Sequence, residues 1–246
     1  MTNINTSKKM NRTTIFNAGM ALSLLLSAMV TLSSRAYAAG RLVSWGLDQW
    51  GQVSGTPAGN DLIAVSAGFG FSVALRCDGT IVAWGYDDWA PGSHSVSAAP
   101  TGNGFVAIAS GSAHTLALRS DGSLFSWGDD HRGQVSQTPA GTGYIAIAAG
   151  GTHSMAMRAD GSLVAWGEDQ YGQVSGTPGG TGFINFGCGD NHTIAMRPDG
   201  SLVAWGLDQE GQVSGTPTGP GFIAVDGGTY HSVAFAFRRK SYLVGF

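Results

Sequence analysis

The stretch Tyr144–Gly167, YIAIAAGGTHSMAMRADGSLVAWG, decides the fold. Three short strand-like runs can be read in it, Tyr144–Ala148, His153–Arg158 and Ser162–Trp166. Ala and Met are poor strand formers, so the turn carries more of the reading than the strands do. Asp160-Gly161 suits a two-residue hairpin turn, which needs positive φ at both central positions. Such a turn predicts Met155 opposite Trp166, Ala156 opposite Ala165 and Met157 opposite Val164. Each hairpin then has one bulky and one small face. Neither face is polar, so both require cover.

The same elements recur outward from this stretch. Trp-Gly appears at Trp45, Trp84, Trp127, Trp166 and Trp205, at spacings of 39, 43, 39 and 39 residues. Asp-Gly appears at Asp78, Asp121, Asp160 and Asp199. Self-similarity at this period means a stacked or circular array of units, each too small to bury its own faces. A bulky face packing on the small face of the next unit covers both. Three or four strands per unit, arranged radially, describe an all-β β-propeller of about five short blades. The longer spacing comes from an irregular connection, WAPGSHSVSAAPTGNG (residues 89–104), four residues longer than its siblings and without their Gly-Gln pair.

The segment Ala149–Gln173, AGGTHSMAMRADGSLVAWGEDQYGQ, resembles the regulator of chromosome condensation repeat family. Its pattern runs Ala-Gly-x-x-His-Ser-x-Ala-Leu, then Asp-Gly, then Trp-Gly-x-Asn/Asp-x-x-Gly-Gln, and the resemblance covers about residues 41–235. WD repeats share the length, but every copy here reads Trp-Gly. The short period is most similar to the secreted bacterial branch, which includes an inhibitor of β-lactamase. The resemblance implies a propeller that binds another protein. Well-known members have seven blades. Here RLVSWG (residues 41–46) has no partner strands of its own, and RRKSYLVGF (residues 238–246) stands where DGSLVAWG is expected. Either Arg41–Trp45 completes the last blade and closes a five-bladed ring, or the ring is incomplete, as in a truncated chain. About five blades are the expectation, in a ring that is closed or incomplete.

Repeats within one chain separate constant positions from variable ones. His114, His153, His192 and His231 share one position, with Phe71 in the first blade, which marks a scaffold role rather than imidazole chemistry. Asp48, Asp87, Asp130, Asp169 and Asp208 each follow a Trp by three residues and read as turn carboxylates accepting backbone N–H groups. Gln52, Gln134, Gln173 and Gln212 read as loop pins. Asp129, Asp130, His131 and Glu168 form the densest polar cluster, which reads as a solvated loop tip. No catalytic triad order, metal-ligand spacing or phosphate loop is present, so neither catalysis nor a cofactor is expected.

The variable positions fall into two sets. Two residues after each repeated Asp lie Trp50, Trp89, Arg132, Tyr171 and Glu210. Just before the His position lie Phe69-Gly70, Ser112-Ala113, Gly151-Thr152, Asp190-Asn191 and Thr229-Tyr230. Strand alternation brings both sets to one end of the propeller. The candidate partner-binding ring is therefore Trp50, Phe69, Trp89, Ser112, Arg132, Thr152, Tyr171, Asp190, Asn191, Glu210 and Tyr230. Its Trp, Tyr, Phe and Arg content is that of a binding hot spot. A protein partner is the main expectation, and a glycan stacking on the aromatic rings is the alternative.

Composition bounds the rest. The 246 residues include 39 glycines and 12% charged side chains, against roughly 25% charged in an average globular chain. Lys8, Lys9 and Arg12 precede the apolar run Thr13–Leu32, and Ala36-Tyr37-Ala38 follows, which reads as a signal peptide over residues 1–38 cleaved before Ala39. The remaining segment, 39–246, is the propeller domain, expected to be secreted or periplasmic. It carries nine basic and sixteen acidic side chains, a net charge of −7, which disfavours nucleic acid. No other apolar run is long enough to span a bilayer. The two cysteines, Cys77 and Cys188, are expected to be unbonded to each other because the register puts them at opposite ends of blades three units apart.

Overall fold

The computed structural model describes residues 39–88 and 92–236. The signal-peptide reading of residues 1–38, the candidate residue Trp89 and the degenerate segment 238–246 lie outside them. Among the described residues all regular structure is strand. The first sheet is β1 (Leu62–Ala67), β2 (Phe71–Arg76) and β3 (Ile81–Gly85). The second is β4 (Phe105–Ser110), β5 (His114–Arg119) and β6 (Leu124–Gly128). The third is β7 (Tyr144–Ala149), β8 (His153–Arg158) and β9 (Leu163–Gly167). The fourth is β10 (Asn185–Cys188), β11 (His192–Met196) and β12 (Leu202–Gly206). The fifth has two strands, β13 (Phe222–Gly227) and β14 (Ser232–Ala236). Each sheet is an antiparallel meander. Adjacent sheets meet through their first strands, which line the inner side of an arc.

The hairpin register differs from the expectation by one residue. Ser154 stands opposite Trp166, Met155 opposite Ala165 and Ala156 opposite Val164. The cause is the turn. Arg158 N donates to Ser162 O and Gly161 N donates to Arg158 O, both at 2.9 Å. The loop is therefore three residues long, a type I turn closed by a left-handed glycine, and not a two-residue turn. Gly161 has φ +77°, whereas Asp160 sits at the second central position of the type I turn, where φ is negative, and its carboxylate accepts the Ser162 N–H at 2.9 Å.

The corrected register puts Met155 and Met157 on one face and Trp166 on the other. Both faces are covered, as the absence of polar side chains requires. Met155 and Met157 pack with Phe183, Ala195 and Trp205 of the next unit. Trp166 and Ala156 pack with Leu116 and Leu118 of the preceding one. The same exchange joins Val73 and Leu75 to Ala117 and Trp127. Each of these interior tryptophans is 6% exposed or less. Its indole N–H donates to the loop after the preceding unit: Trp84 to Gln52 O, Trp166 to Gln134 O and Trp205 to Gln173 O at 3.0 Å, and Trp127 to Ser95 O at 3.1 Å.

Among the described residues no closed ring forms: Arg41–Trp45 does not pair with β14, and the first and fifth sheets share no pairing. Instead Gly40 bridges to Leu62, and Leu42 packs on Leu62, Ala74 and Trp84. Arg41–Trp45 thus occupies the third-strand place of a unit ahead of the first sheet. Among the described residues no loop accepts the Trp45 indole, and Trp45 is 83% exposed.

Candidate functional site

One end of the arc is built from two kinds of loop, and main-chain atoms hold both. The loops between first and second strands form a ladder from sheet to sheet. Phe69 N donates to Ser112 O at 3.0 Å, Ser112 N to Gly151 O at 3.2 Å, and Gly151 N to Asp190 O at 3.0 Å. The close approach requires glycine: a Cβ on Gly150 would lie 2.6 Å from Gly189 O and 2.2 Å from the His153 ring. The residue after each Trp-Gly pair joins the same end. Tyr86 N donates to Gly70 O, Asp129 N to Ala113 O and Leu207 N to Asn191 O, each at 2.8 Å, and Glu168 N to Thr152 O at 3.1 Å.

The repeated polar residues form the frame. Each repeated Asp accepts two backbone N–H groups from the far side of its loop; Asp169 Oδ1, for example, accepts from Val174 at 2.9 Å and Ser175 at 2.8 Å. Asp48, Asp130 and Asp208 do likewise, and Asp87 does so across the longer irregular loop. Those backbone bonds hold the Asp48, Asp169 and Asp208 carboxyls below the usual carboxylate range. Each Gln side chain accepts the backbone N–H of the variable residue two positions earlier: Trp50 at 2.9 Å, and Arg132, Tyr171 and Glu210 at 2.8 Å. The backbone of every described variable loop tip is therefore fixed without using its side chain.

Beneath the face runs a chain of imidazoles. His114 Nε2 is 3.0 Å from Ser154 Oγ, and His192 Nε2 is 3.0 Å from Ser232 Oγ. Burial pushes both imidazoles down to about 4, and His153 down to about 3. They are neutral structural links, as the Phe71 replacement implies. Where Phe71 stands, Thr115 bonds Ser110 at 3.2 Å instead.

Every described member of the candidate ring lies at this end and is at least partly exposed. Tyr230 is 55% exposed, Phe69 41% and Tyr171 40%. Arg132 and Glu210 are exposed, and Ser112, Thr152, Asp190 and Asn191 are half-buried. Desolvation raises the Asp190 carboxyl above its ordinary value, opposed by a hydrogen bond from Thr229. Trp50 departs from the expected free loop tip. It is half-buried, its ring 5.3 Å from that of Tyr86, and a Cβ on Gly70 would meet it at 3.0 Å.

The position after Trp-Gly was not read as part of the ring. Tyr86 touches Trp50, and Glu168 lies 3.5 Å from Arg132 Nε and accepts the Thr152 hydroxyl. A variable side chain on one unit thus lies over the post-Trp-Gly residue of the next. The change from Glu168 to Leu207 was the available signal. The polar cluster does not converge: Asp129 bonds His131 and Gln134, whereas Glu168 turns to Arg132 and Thr152. Among the described residues no three His, Cys, Asp or Glu side chains gather as a metal site would.

No curated protein matches the chain by sequence. Solved structures do match its fold. The ectodomain of the receptor kinase CR4 from Physcomitrella patens aligns with a TM-score of 0.65 at 22% identity, over 86% of this chain and 62% of that one. The ectodomain of ACR4 from Arabidopsis thaliana aligns with a TM-score of 0.61 at 23% identity, over 80% and 69%. Prp20p of Saccharomyces cerevisiae, described with its binding to Gsp1p and histones, aligns with a TM-score of 0.59 at 22% identity. That match covers 71% of this chain and 56% of Prp20p, so the chain spans little more than half that relative's length. The family model for the regulator of chromosome condensation (RCC1) repeat matches four times, at residues 62–88, 105–134, 144–173 and 183–212. These are the four complete three-stranded units, and the chain belongs to the regulator of chromosome condensation repeat family of β-propellers.

Proposed function

We propose that this protein is an exported, non-enzymatic propeller that binds another protein through the variable ring. One observation carries the reading: side chains change from unit to unit over a hydrogen-bonded frame that does not. Gln134, Gln173 and Gln212 fix the backbone at Arg132, Tyr171 and Glu210, so the exposed side chains there are free to serve a partner. Partly exposed Tyr and Phe beside an Arg supply rigid contact area of the kind that dominates protein interfaces. Inhibition of an extracellular enzyme is one form such binding takes. Its specificity would reside in the residues that vary, so it does not carry over from relatives.

The test has two stages. The purified protein is used to capture a partner from envelope and culture fractions, and the partner is then titrated against wild type and the triple variant Arg132→Ala, Tyr171→Ala, Tyr230→Ala. Loss of affinity with an unchanged fold supports the reading. Equal affinity would place the partner on another surface. Binding on a glycan array, with no protein captured, would replace the protein partner with a sugar.

A further inference from the structure

Between the fourth and fifth sheets lies a cavity of about 280 Å³, lined by Ile194, Gln212, Gly215, Phe222 and Ala234 among others. One period earlier, the equivalent positions are Met155, Gln173, Gly176, Phe183 and Ala195. There they enclose Trp205. Met155, Phe183 and Ala195 pack with it, Gln173 O accepts its indole N–H, and a Cβ on Gly176 would meet its Cδ1 at 3.1 Å. The cavity is thus the wall of a tryptophan socket repeated one unit on. Among the described residues no indole enters it, and a Cβ on Gly215 would meet no side chain. The apolar cluster at this junction holds Ile194, Met196 and Val225 and lacks the Trp found at the other four. Counting the 39-residue period from Trp205 reaches Val244, which has no indole to offer.

Among the described residues one tryptophan has no socket. Trp45 ends the extended segment Arg41–Trp45, which pairs only through the bridge from Gly40 to Leu62, and is 83% exposed, with Val43 of that segment 56% exposed. The segment has the sequence Arg-Leu-Val-Ser-Trp-Gly of a third strand, and Ser44 Oγ accepts from Thr56 as Ser126 Oγ accepts from Thr138, both at 2.7 Å. Among the described residues it differs from its siblings in having no first and second strands beside it.

We propose that Trp45 of a second copy of this chain fills the cavity beside Gln212 and Gly215, its strand Arg41–Trp45 adding to β14 as the third strand of the fifth sheet. Among the described residues Arg41–Trp45 makes no pairing with the fifth sheet of its own copy, and the proposed match is between copies. Donor and acceptor are different surfaces, which makes the contact head-to-tail; whether successive copies close or continue depends on the rotation between them. Strand addition would pair the edge of β14 that no described strand covers and bury an exposed indole in one step.

Sedimentation velocity on the purified protein tests this directly. The mass should rise with concentration, and Trp45→Ala should weaken association about thirtyfold or more, as loss of a hot-spot anchor does. Ala234→Arg blocks the acceptor. Each variant alone should stay monomeric, and an equimolar mixture should form one-to-one pairs, because Trp45→Ala keeps its socket and Ala234→Arg keeps its Trp45. Should Ala234→Arg fail to fold, a synthetic Gly40–Gly46 peptide provides the second measurement. It should dissociate the wild-type assembly, and its Trp→Ala version should not. A wild-type protein monomeric at every concentration would overturn the proposal, including one whose Trp45 is shielded from acrylamide by closure onto its own fifth sheet. So would association that Trp45→Ala leaves unchanged.

Discussion

His153 Nε2 lies 3.0 Å from Thr193 Oγ1 of the next sheet, with both residues fully buried. The bond ties neighbouring sheets beneath the variable face, and burial keeps the ring neutral.

A pH dependence follows. Burial holds His114 and His192 at about 4 and His153 at about 3 in the folded protein, against 6.5 for the free side chain. Between those values the unfolded chain binds protons that the folded one refuses. The contribution is complete above pH 6.5 and is lost as pH falls towards 4. Each histidine costs about 1.4 kcal/mol per pH unit in that window, so the three together cost about 4. Denaturant titrations from pH 7.5 to 4.5 should show this slope, and a flat profile would mean that the rings are not buried neutral.

Replacing His153 with Phe imitates the first unit. Thr193 keeps its 4.0 Å contact with Cys188 Sγ, much as Thr115 turns to Ser110 beside Phe71. The variant should fold and bind as wild type does, and its pH slope should fall by about one proton. Proton uptake on unfolding at pH 5.5 measures this.

Trp166→Ala should destabilise the fold by about 3–5 kcal/mol. It empties a site 3% exposed and removes the indole donor to Gln134 O. Trp45→Ala makes the paired control, because the same residue type in the same repeat position is exposed there. Urea midpoints of dilute samples should fall for the first variant and stay put for the second.

On the face, Tyr171→Ala and Arg132→Ala should each change stability by no more than about 0.5 kcal/mol. Trp50→Ala should cost more, about 1–2 kcal/mol, because its ring packs on Tyr86 and Gly70. Thermal melts separate the two classes before any binding measurement is made.

Cys77 and Cys188 are both free, the first exposed and the second buried. Burial pushes the Cys188 thiol up to about 12. A native protein treated with iodoacetamide at pH 8 should gain one adduct, at Cys77, and a second only after denaturation. Peptide mass mapping reads this out.

The period, the three-strand unit and the end of the propeller carrying the variable loops were legible in the sequence because each rests on spacing. The hairpin register was not. Asp-Gly fits two turn lengths, and the choice depended on whether Arg158 or Ala159 closes the ladder, a one-residue difference that moved Trp166 from beside Met155 to the opposite face. Whether the ring closes is not legible in the sequence for a similar reason. The pattern gives Arg41–Trp45 the sequence of a third strand, but position in an arc depends on accumulated rotation between sheets, which no local spacing encodes. Trp50 and Tyr86 meet across units 36 positions apart, at residues that vary, so no repeated pattern announced their contact.

The socket arrangement has an evolutionary consequence. Each tryptophan is seated in the loop of the unit before it, so every structural joint straddles two sequence repeats. Copying or deleting 39 residues, from whatever starting point, therefore restores the same set of joints. Unequal recombination between near-identical repeats such as Leu163–Gly180 and Leu202–Gly219 can lengthen or shorten the arc without a misfit, and each new copy brings one more blank position for selection to fill.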